Sequence, residues 1–275
     1  MPGQRDARGR RSRRRTCTAY GLRRRRLQPP RASRASSSLE VVIESGSTAS
    51  PPPASAERGR PDPRAVSLEG DALATWTAGW QPEDAPLQAA RQRAAEVGVG
   101  AVDAPTGAAL RMLAAAAGAR HVIELGTGAG VSTLWLLRGM RPDGVLTTVD
   151  ADAEHQRMAK ATLAEAGVPS GRARLIAGRA LEVLPRLSDA AYDLVFCDAQ
   201  RAENLDYLEA SLRLLRPGGL VVFAGALAGG KVADPSARDA DTVALRELAR
   251  SVRDQTRLVA ASLPVGQGLL VAALS

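Results

Sequence analysis

The chain has 275 residues, a formal net charge of +8 and only two cysteines, Cys17 and Cys197. That length accommodates one large domain or two small ones. Two distant cysteines exclude a disulfide framework or a thiolate metal cluster, and they suit a reducing, cytoplasmic setting. No apolar run reaches the roughly 18 residues that a membrane helix needs, so we expect no membrane partner.

The positive charge is concentrated at the N-terminus. Residues 1–64 contain 16 Lys and Arg against 5 Asp and Glu, a balance of +11, which leaves −3 for the remainder. Runs such as RGRRSRRR and SPPPAS predict that residues 1–66 are a disordered tail and that 67–275 are the folded domain. The tail could bind nucleic acid, although Tyr20 is its only aromatic residue, or translation could begin near residues 66–71. We therefore expect no nucleic-acid partner for the folded body.

Helices and strands alternate after residue 69. Apolar residues recur at helical spacing in 87–98 and 105–119, and Pro105 with Thr106 suits a helix start. Short apolar strands are predicted at 121–126, 144–150, 172–178, 192–198 and 219–225. The helices between them are predicted at 131–140, 152–167, 180–187 and 204–219. This alternation indicates a parallel sheet covered by helices on both faces.

The end of the chain has a different pattern. A helix within 238–254 precedes two apolar stretches, 256–264 and 268–274, with only three residues between them. So short a link permits an antiparallel hairpin and excludes a helical crossover. The predicted fold is α/β: a Rossmann-like, doubly wound, mostly parallel seven-stranded sheet with a C-terminal antiparallel hairpin and preceding N-terminal helices. Such an ending is typical of the class I methyltransferase fold.

The predicted strand ends carry the polar residues. Open parallel sheets bind ligands beyond the carboxyl ends of their strands. The stretch ELGTGAG, 124–130, follows the first strand, and its glycines allow a tight turn close to a ligand. Asp150 ends the second strand, where a carboxylate can accept both hydroxyls of a ribose. Residues 178–180 end the third strand, and Asp198 ends the fourth.

These residues favour one nucleotide cofactor over another. A dinucleotide-binding turn has a third glycine where this chain has Val131. Glu124, just before the turn, would repel a pyrophosphate but not a cationic methionine group. The sequence therefore favours S-adenosylmethionine over a nicotinamide dinucleotide.

Four stretches resemble the O-methyltransferases related to catechol and caffeoyl-coenzyme A methyltransferases, particularly bacterial members of actinobacterial type. They are VIELGTGAGVSTLWLL, TTVDADAEHQRMAKATLAEAGV, YDLVFCDAQRAENLDYLE and LLRPGGLVVFAGALAGGKV. The similarity covers residues 87–274 and implies an S-adenosylmethionine-dependent O-methyltransferase that forms a homodimer. It implies a cofactor site built from Val102, Glu124, Gly126, Thr127, Gly128, Gly130, Ser132, Asp150, Ala151, Gly178, Ala180 and Asp198. Within it, Ser132 would hold the methionine end, and Gly178 and Ala180 would flank the adenine.

Simpler interpretations stay open for several of these residues. The glycines could serve only the turn, and Asp150 could cap the helix that begins at Asp152. Ser132 could be an ordinary first-turn residue, and Val102 an ordinary core residue.

Asp198 raises the question of a metal. In metal-dependent members this aspartate binds a divalent cation, together with an Asp-Asn pair that here falls on Ala224 and Gly225. One carboxylate leaves most of an octahedral shell without protein ligands, so we expect no tightly bound metal. Gln200 and Arg201 replace the latter half of the first motif, where the family's lysine can act as a general base. Arg201 cannot act as that base, because a guanidinium stays protonated at any relevant pH.

Asp198 and Arg201 are therefore the candidate catalytic residues. Asp198 is predicted to contact the acceptor or the cofactor, and its alternative is a helix cap for 202–215. Arg201 could neutralise an anionic substrate, pair with an acid or be an unpaired surface residue. Of the two histidines, His121 and His155, we expect structural roles, with His155 nearer the cofactor rim.

The leading hypothesis is a metal-independent O-methyltransferase acting on a small-molecule hydroxyl or other acidic oxygen. The alternative is a catalytically weakened S-adenosylmethionine-binding sensor or scaffold, because both metal positions have changed. Trp76 and Trp80 could pack on a partner, over the mouth of the site or in the core.

Overall fold

The computed structural model describes residues 70–275, which form one seven-stranded sheet flanked by helices. The predicted tail of residues 1–66 lies outside the described residues. The strands are β1 (His121–Leu125), β2 (Val145–Asp150), β3 (Ala173–Ala177), β4 (Tyr192–Cys197), β5 (Leu215–Ala224), β6 (Leu258–Leu263) and β7 (Leu269–Leu274). The helices are α1 (Gly70–Trp80), α2 (Ala85–Glu96), α3 (Ala104–Ala116), α4 (Val131–Gly139), α5 (Ala153–Glu165), α6 (Ala180–Val183), α7 (Asn204–Leu214) and α8 (Ala240–Asp254). Short 3-10 turns occupy Leu184–Arg186, Arg201–Glu203 and Ala228–Ala233. Among the helices described, none is long and apolar enough to cross a membrane.

The strand order is β3-β2-β1-β4-β5-β7-β6. The first five strands pair in parallel, whereas β7 runs antiparallel to both β5 and β6. The β6–β7 hairpin closes with Leu263 opposite Leu269. The predicted α/β fold and its terminal hairpin are confirmed.

Aspartate caps define where several helices begin. Asp103 accepts the N–H of Thr106 at 2.8 Å, and Pro105 lies in the first turn of α3, where its missing N–H costs no hydrogen bond. Asp239 caps α8 in the same way. The helix start predicted at Pro105 is therefore correct to within one residue.

The helix predicted over 204–219 is shorter in the structure. Helix α7 ends at Leu214, and β5 begins at the next residue. Pro217 has no N–H to donate within a helix, and it disfavours helical geometry at Arg216. The segment that follows α7 therefore turns directly into the sheet, where Leu215 pairs with Tyr192.

Both faces of the sheet are buried. One apolar cluster includes Ile123, Val195 and Tyr207, and the other includes Val122, Trp135 and Phe196. Successive residues of β1 thus contribute to opposite faces, as strand geometry requires. Cys197 is buried in the first cluster, as expected of a small apolar residue.

The two tryptophans of α1 are not core residues. Trp76 is 63% exposed and Trp80 is 70% exposed, and their ring centroids lie 5.0 Å apart. The interpretation of Trp76 and Trp80 as core residues is therefore wrong, because both rings are largely exposed on the surface of α1.

Candidate active site

A cavity of about 920 Å³ opens at the carboxyl ends of the parallel strands. It lies beyond β1 and β4, neighbouring strands that are not consecutive in the chain. The order of strands reverses at this place, which is where open α/β sheets bind ligands. The topology alone thus brings the loops after β1, β2, β3, β4 and β5 to one edge.

The loop after β1 passes very close to the loop after β4. Gly126 has a φ of +93°, and a Cβ added there would lie 2.2 Å from the backbone carbonyl oxygen of Asp198. Only glycine permits this approach, because an L side chain would be both strained and in collision. The loop that begins at Gly126 therefore forms the floor of the cavity beside Asp198.

The Asp150 carboxylate fixes the glycine-rich turn in place. Its Oδ2 atom accepts the backbone N–H groups of Thr127 at 2.9 Å and Gly128 at 3.0 Å. Its Oδ1 atom accepts the N–H of Asp152 at 2.9 Å and lies 3.1 Å from Nδ1 of His155. The cap of α5 is Asp152 itself, so the cap interpretation of Asp150 does not describe this structure.

Glu124 lies beneath the cavity rather than on its wall. Its carboxylate is fully buried and accepts hydrogen bonds from the hydroxyls of Ser132 and Thr133 on α4. Burial raises the pKa of Glu124 to about 7, against the lowering effect of these hydroxyl donors. Ser132 does line the cavity, so it joins the buried acid to the ligand space.

Most of the residues predicted for the cofactor meet in this cavity. Those that line it are Val102, Gly126, Thr127, Gly128, Ser132, Asp150, Ala151, Gly178, Ala180 and Asp198. Glu124 and Gly130 do not line it. Gly130 instead packs against α5, where its added Cβ would lie 3.0 Å from Cα of Ala159.

Asp198 and Arg201 occupy the other end of the cavity. Asp198 is accessible from the cavity, and no side-chain hydrogen bond to its carboxylate occurs within residues 70–275. The surrounding protein atoms reduce the hydration of the Asp198 carboxylate and so raise its pKa, and the Arg201 cation partly offsets this rise. The helix-cap interpretation is not met, because Gln200 and Glu203 hold the cap positions there.

Arg201 is anchored from outside the cavity. Its Nη1 donates to Oδ2 of Asp241 on α8 at 3.0 Å. Its Nη2 lies 3.0 Å from the position of a Cβ added to Gly225. The guanidinium thus extends across Gly225, at the end of β5, and the interpretation as an unpaired surface arginine is wrong.

The residues around Asp198 do not fit a divalent metal. Ala224 and Gly225 carry no ligand atoms in their side chains, and the Arg201 cation lies over them. Within the part of the chain that is described, no three His, Cys, Asp or Glu side chains come together as a metal site.

His155, which the sequence places nearer the proposed cofactor rim than His121, lines the cavity and contacts Asp150. Sequence reasoning missed other residues of the cavity wall. Asp103 lines the cavity while capping α3, and Gln267 enters from the β6–β7 turn. Glu203 lies between Arg179, at 3.0 Å, and the Tyr207 hydroxyl.

Comparison with known proteins agrees with this geometry. The family model described as O-methyltransferase matches residues 87–274, more than half of the chain. The chain belongs to the O-methyltransferase family. A protein of Mycolicibacterium vanbaalenii that bears an O-methyltransferase name is 50% identical over 215 residues, covering 78% of this chain and 95% of that protein.

Solved structures of this family contain the cofactor or its product. The O-methyltransferase TomG from Streptomyces achromogenes, in complex with SAM, aligns with a TM-score of 0.68 and 33% identity, covering 74% of this chain and 96% of that one. An O-methyltransferase from Bacillus cereus in complex with SAH aligns with a TM-score of 0.67 and 28% identity, covering 74% and 97%. The protein is an S-adenosylmethionine-dependent O-methyltransferase with a Rossmann-like fold.

Proposed function

We propose that this O-methyltransferase methylates a small-molecule hydroxyl or other acidic oxygen without a divalent metal. The observation that carries the proposal is the shortage of metal-binding side chains beside Asp198. Ala224 and Gly225 offer no side-chain oxygen, so a metal there would have a single protein carboxylate. A divalent cation such as Mg²⁺ usually takes more oxygen ligands than that from protein and substrate.

The cofactor would lie over the glycine-rich turn. Asp150 is suited to the ribose because its oxygens face the cavity while the turn's N–H groups hold it still. Ser132 is suited to the methionine end, and Ala151, Gly178 and Ala180 to the adenosine. Glu124 would act through the Ser132 hydroxyl rather than by direct contact.

Bound S-adenosylmethionine supplies an activated methyl carbon. The protein then has to hold the acceptor oxygen in line with that carbon and exclude competing water. Orientation of this kind lowers a barrier by roughly 7–11 kcal/mol in well-aligned systems. Catalysis without a metal is thus physically reasonable for a phenol or carboxylate, whose oxygen ionises readily.

Calorimetry with S-adenosylmethionine and S-adenosylhomocysteine, with and without EDTA, tests the cofactor site. Transfer of labelled methyl to a panel of phenols, catechols and carboxylates tests the reaction. We expect binding and turnover that EDTA leaves unchanged. Strict dependence on added Mg²⁺ would contradict metal independence, and tight binding without turnover would point to the sensor or scaffold instead.

The known relatives do not favour that alternative, because their names are those of enzymes. TomG is involved in the synthesis of tomaymycin, which supports a small-molecule acceptor here. A homodimer and a cytoplasmic location stay predictions from the sequence.

A further inference from the structure

We propose that the Arg201 guanidinium binds the ionised oxygen of the acceptor in this active site and that Asp198 receives the proton which that oxygen loses. The inference rests on the proposed function, because it assigns to two side chains the charge that a metal would otherwise supply. It names the acceptor class as an oxygen acid that ionises near neutral pH, such as a phenol.

The position of the guanidinium is the first support. Arg201 follows β4 by four residues, and its Nη2 crosses Gly225 at the end of β5. The space there would hold a side chain if residue 225 were not glycine. Arg201 thus brings a permanent positive charge to the carboxyl ends of two neighbouring strands, beside the cavity wall formed by Ala224.

The hydrogen bonds of Arg201 are the second support. The Arg201 Nη1 atom donates a hydrogen bond to Asp241 outside the cavity, and this bond fixes the orientation of the planar guanidinium. A guanidinium has five N–H donors, so others stay available to an acceptor oxygen. A cation held in this way stabilises an oxyanion without reorganising during the reaction.

The state of Asp198 is the third support. Its carboxylate has no hydrogen-bond donor of its own within the described residues, and it faces the same end of the cavity as Arg201. Its raised pKa makes it a better proton acceptor than an ordinary aspartate. A carboxylate and a cation side by side can separate the proton of a phenol from its oxygen.

The chemical step balances with these two groups. The acceptor's O–H proton passes to Asp198, and an electron pair on the ionised oxygen forms the new bond to the methyl carbon. The bond between that carbon and sulfur breaks, and its electron pair stays on sulfur. Asp198 later releases the proton to solvent.

The other charges near this pair do not replace its function. Asp241 already pairs with Arg201, and Glu203 pairs with Arg179 and the Tyr207 hydroxyl. Asp103 lines the cavity as an anion and cannot stabilise an oxyanion. Of the two arginines among the described residues that line the cavity, Arg179 follows β3, whereas Arg201 is on the loop after β4 that carries Asp198 and is the cation that acts on that carboxylate.

The test uses 4-nitrophenol, whose phenolate is read by visible absorbance, bound to the full-length protein with S-adenosylhomocysteine and EDTA. We expect the wild-type protein to lower the pKa of the bound phenol by about one unit, a tenfold gain in ionisation.

The variants test which group causes this shift. Arg201→Gln should abolish the shift in the phenol's pKa, and Arg201→Lys should restore part of it. Asp241→Asn removes the anchor but keeps the cation, so it should retain part of the shift and always more than Arg201→Gln does. Arg253→Gln is the matched control. Arg253 is an exposed arginine on α8, the helix that carries Asp241, and its replacement should leave the shift in the phenol's pKa unchanged.

An equal shift in wild type and Arg201→Gln, or equal losses in Arg201→Gln and Asp241→Asn, would overturn the proposal, as would failure of the phenol to bind. The outcome is separable from that of the proposed function. A normal Arg201-dependent shift with Mg²⁺-dependent turnover would overturn metal independence alone. EDTA-resistant turnover without a shift would overturn the Arg201 assignment alone.

Discussion

Gly126 lies directly against the backbone of Asp198: a Cβ on the glycine would lie 2.2 Å from the aspartate's carbonyl oxygen. The contact brings the glycine-rich turn, proposed to hold the cofactor, against the loop that carries Asp198. A side chain added at residue 126 would therefore have to displace the backbone at residue 198.

Gly126→Ala is expected to destabilise the fold and to weaken cofactor binding. The positive φ and the collision with backbone together should cost roughly 2–4 kcal/mol in the free energy of unfolding. Denaturant unfolding and calorimetry with S-adenosylhomocysteine measure the two effects. Gly171→Ala is the control, because a Cβ there meets nothing within 4 Å and its φ is not positive. Equal behaviour of the two variants would contradict the close approach.

Asp150→Ala should loosen the glycine-rich turn as well as remove the proposed ribose contact. The change leaves the N–H groups of Thr127 and Gly128 without their acceptor, and each loss costs about 1–3 kcal/mol where water cannot replace it. We expect at least a tenfold loss of S-adenosylhomocysteine affinity by calorimetry. Asp152→Ala removes the cap of α5 and the Oδ2 atom that lies 3.8 Å from Nε2 of His155, so it should cost about 1 kcal/mol of stability and reduce affinity far less than Asp150→Ala does.

The buried Glu124 gives the protein a pH-dependent stability. Its pKa is raised from 4.5 to about 7, so the native state keeps a proton that the unfolded chain has already lost. Stability from this group is complete below pH 4.5 and is lost as the pH rises toward about 7, by about 3 kcal/mol in all.

Glu124→Gln should remove that decline, because an amide does not ionise. Unfolding free energies of both proteins, measured below and above the pKa, isolate the effect, since every other titrating group is shared. Parallel curves would show that folding does not raise the pKa of Glu124.

Much of this architecture follows from local sequence. Apolar runs end where glycine, aspartate or proline begins, and so six of the seven strands are predicted to within two residues, whereas β5 begins four residues before its predicted start. Parallel topology then requires that Asp150, Asp198 and the glycine-rich turn share one edge of the sheet. The convergence of these distant residues was therefore predictable without side-chain geometry.

Side-chain directions were less predictable. The Glu124 side chain points into the protein because two hydroxyls from the first turn of α4 donate hydrogen bonds to its carboxylate there. The strand pattern alone does not predict this orientation. Arg201 finds Asp241 forty residues away, and the sequence offers many other acids. Gln267 reaches the cavity only because the β6–β7 hairpin folds β7 against β5.

Asp198→Asn should slow methyl transfer by roughly 10²–10⁴-fold, the usual contribution of a general base. The wild-type rate should fall as the pH falls through the raised pKa of Asp198, because only the ionised carboxylate accepts a proton. The variant should lack this acidic limb in its pH–rate profile. Asp206→Asn, which changes an acid on α7 outside the cavity lining, is the control. An unchanged profile in Asp198→Asn would assign the limb to another group.

Gly225→Ala should separate the position of Arg201 from the stability of the fold. The added methyl would lie 3.0 Å from Nη2, and the flexible guanidinium can move away at small energetic cost. The positive φ of +63° should itself cost about 1–2 kcal/mol. Gly230→Ala is the matched control, since its φ is +96° and its Cβ meets nothing within 4 Å.

Both glycine variants should therefore lose similar stability, but only Gly225→Ala should slow turnover and reduce the ionisation of bound 4-nitrophenol. In the Arg201→Gln background, Gly225→Ala should have no further effect on either readout, because the group that it displaces is absent. Additive losses in that double-mutant cycle would mean that Gly225 acts on the acceptor independently of the guanidinium.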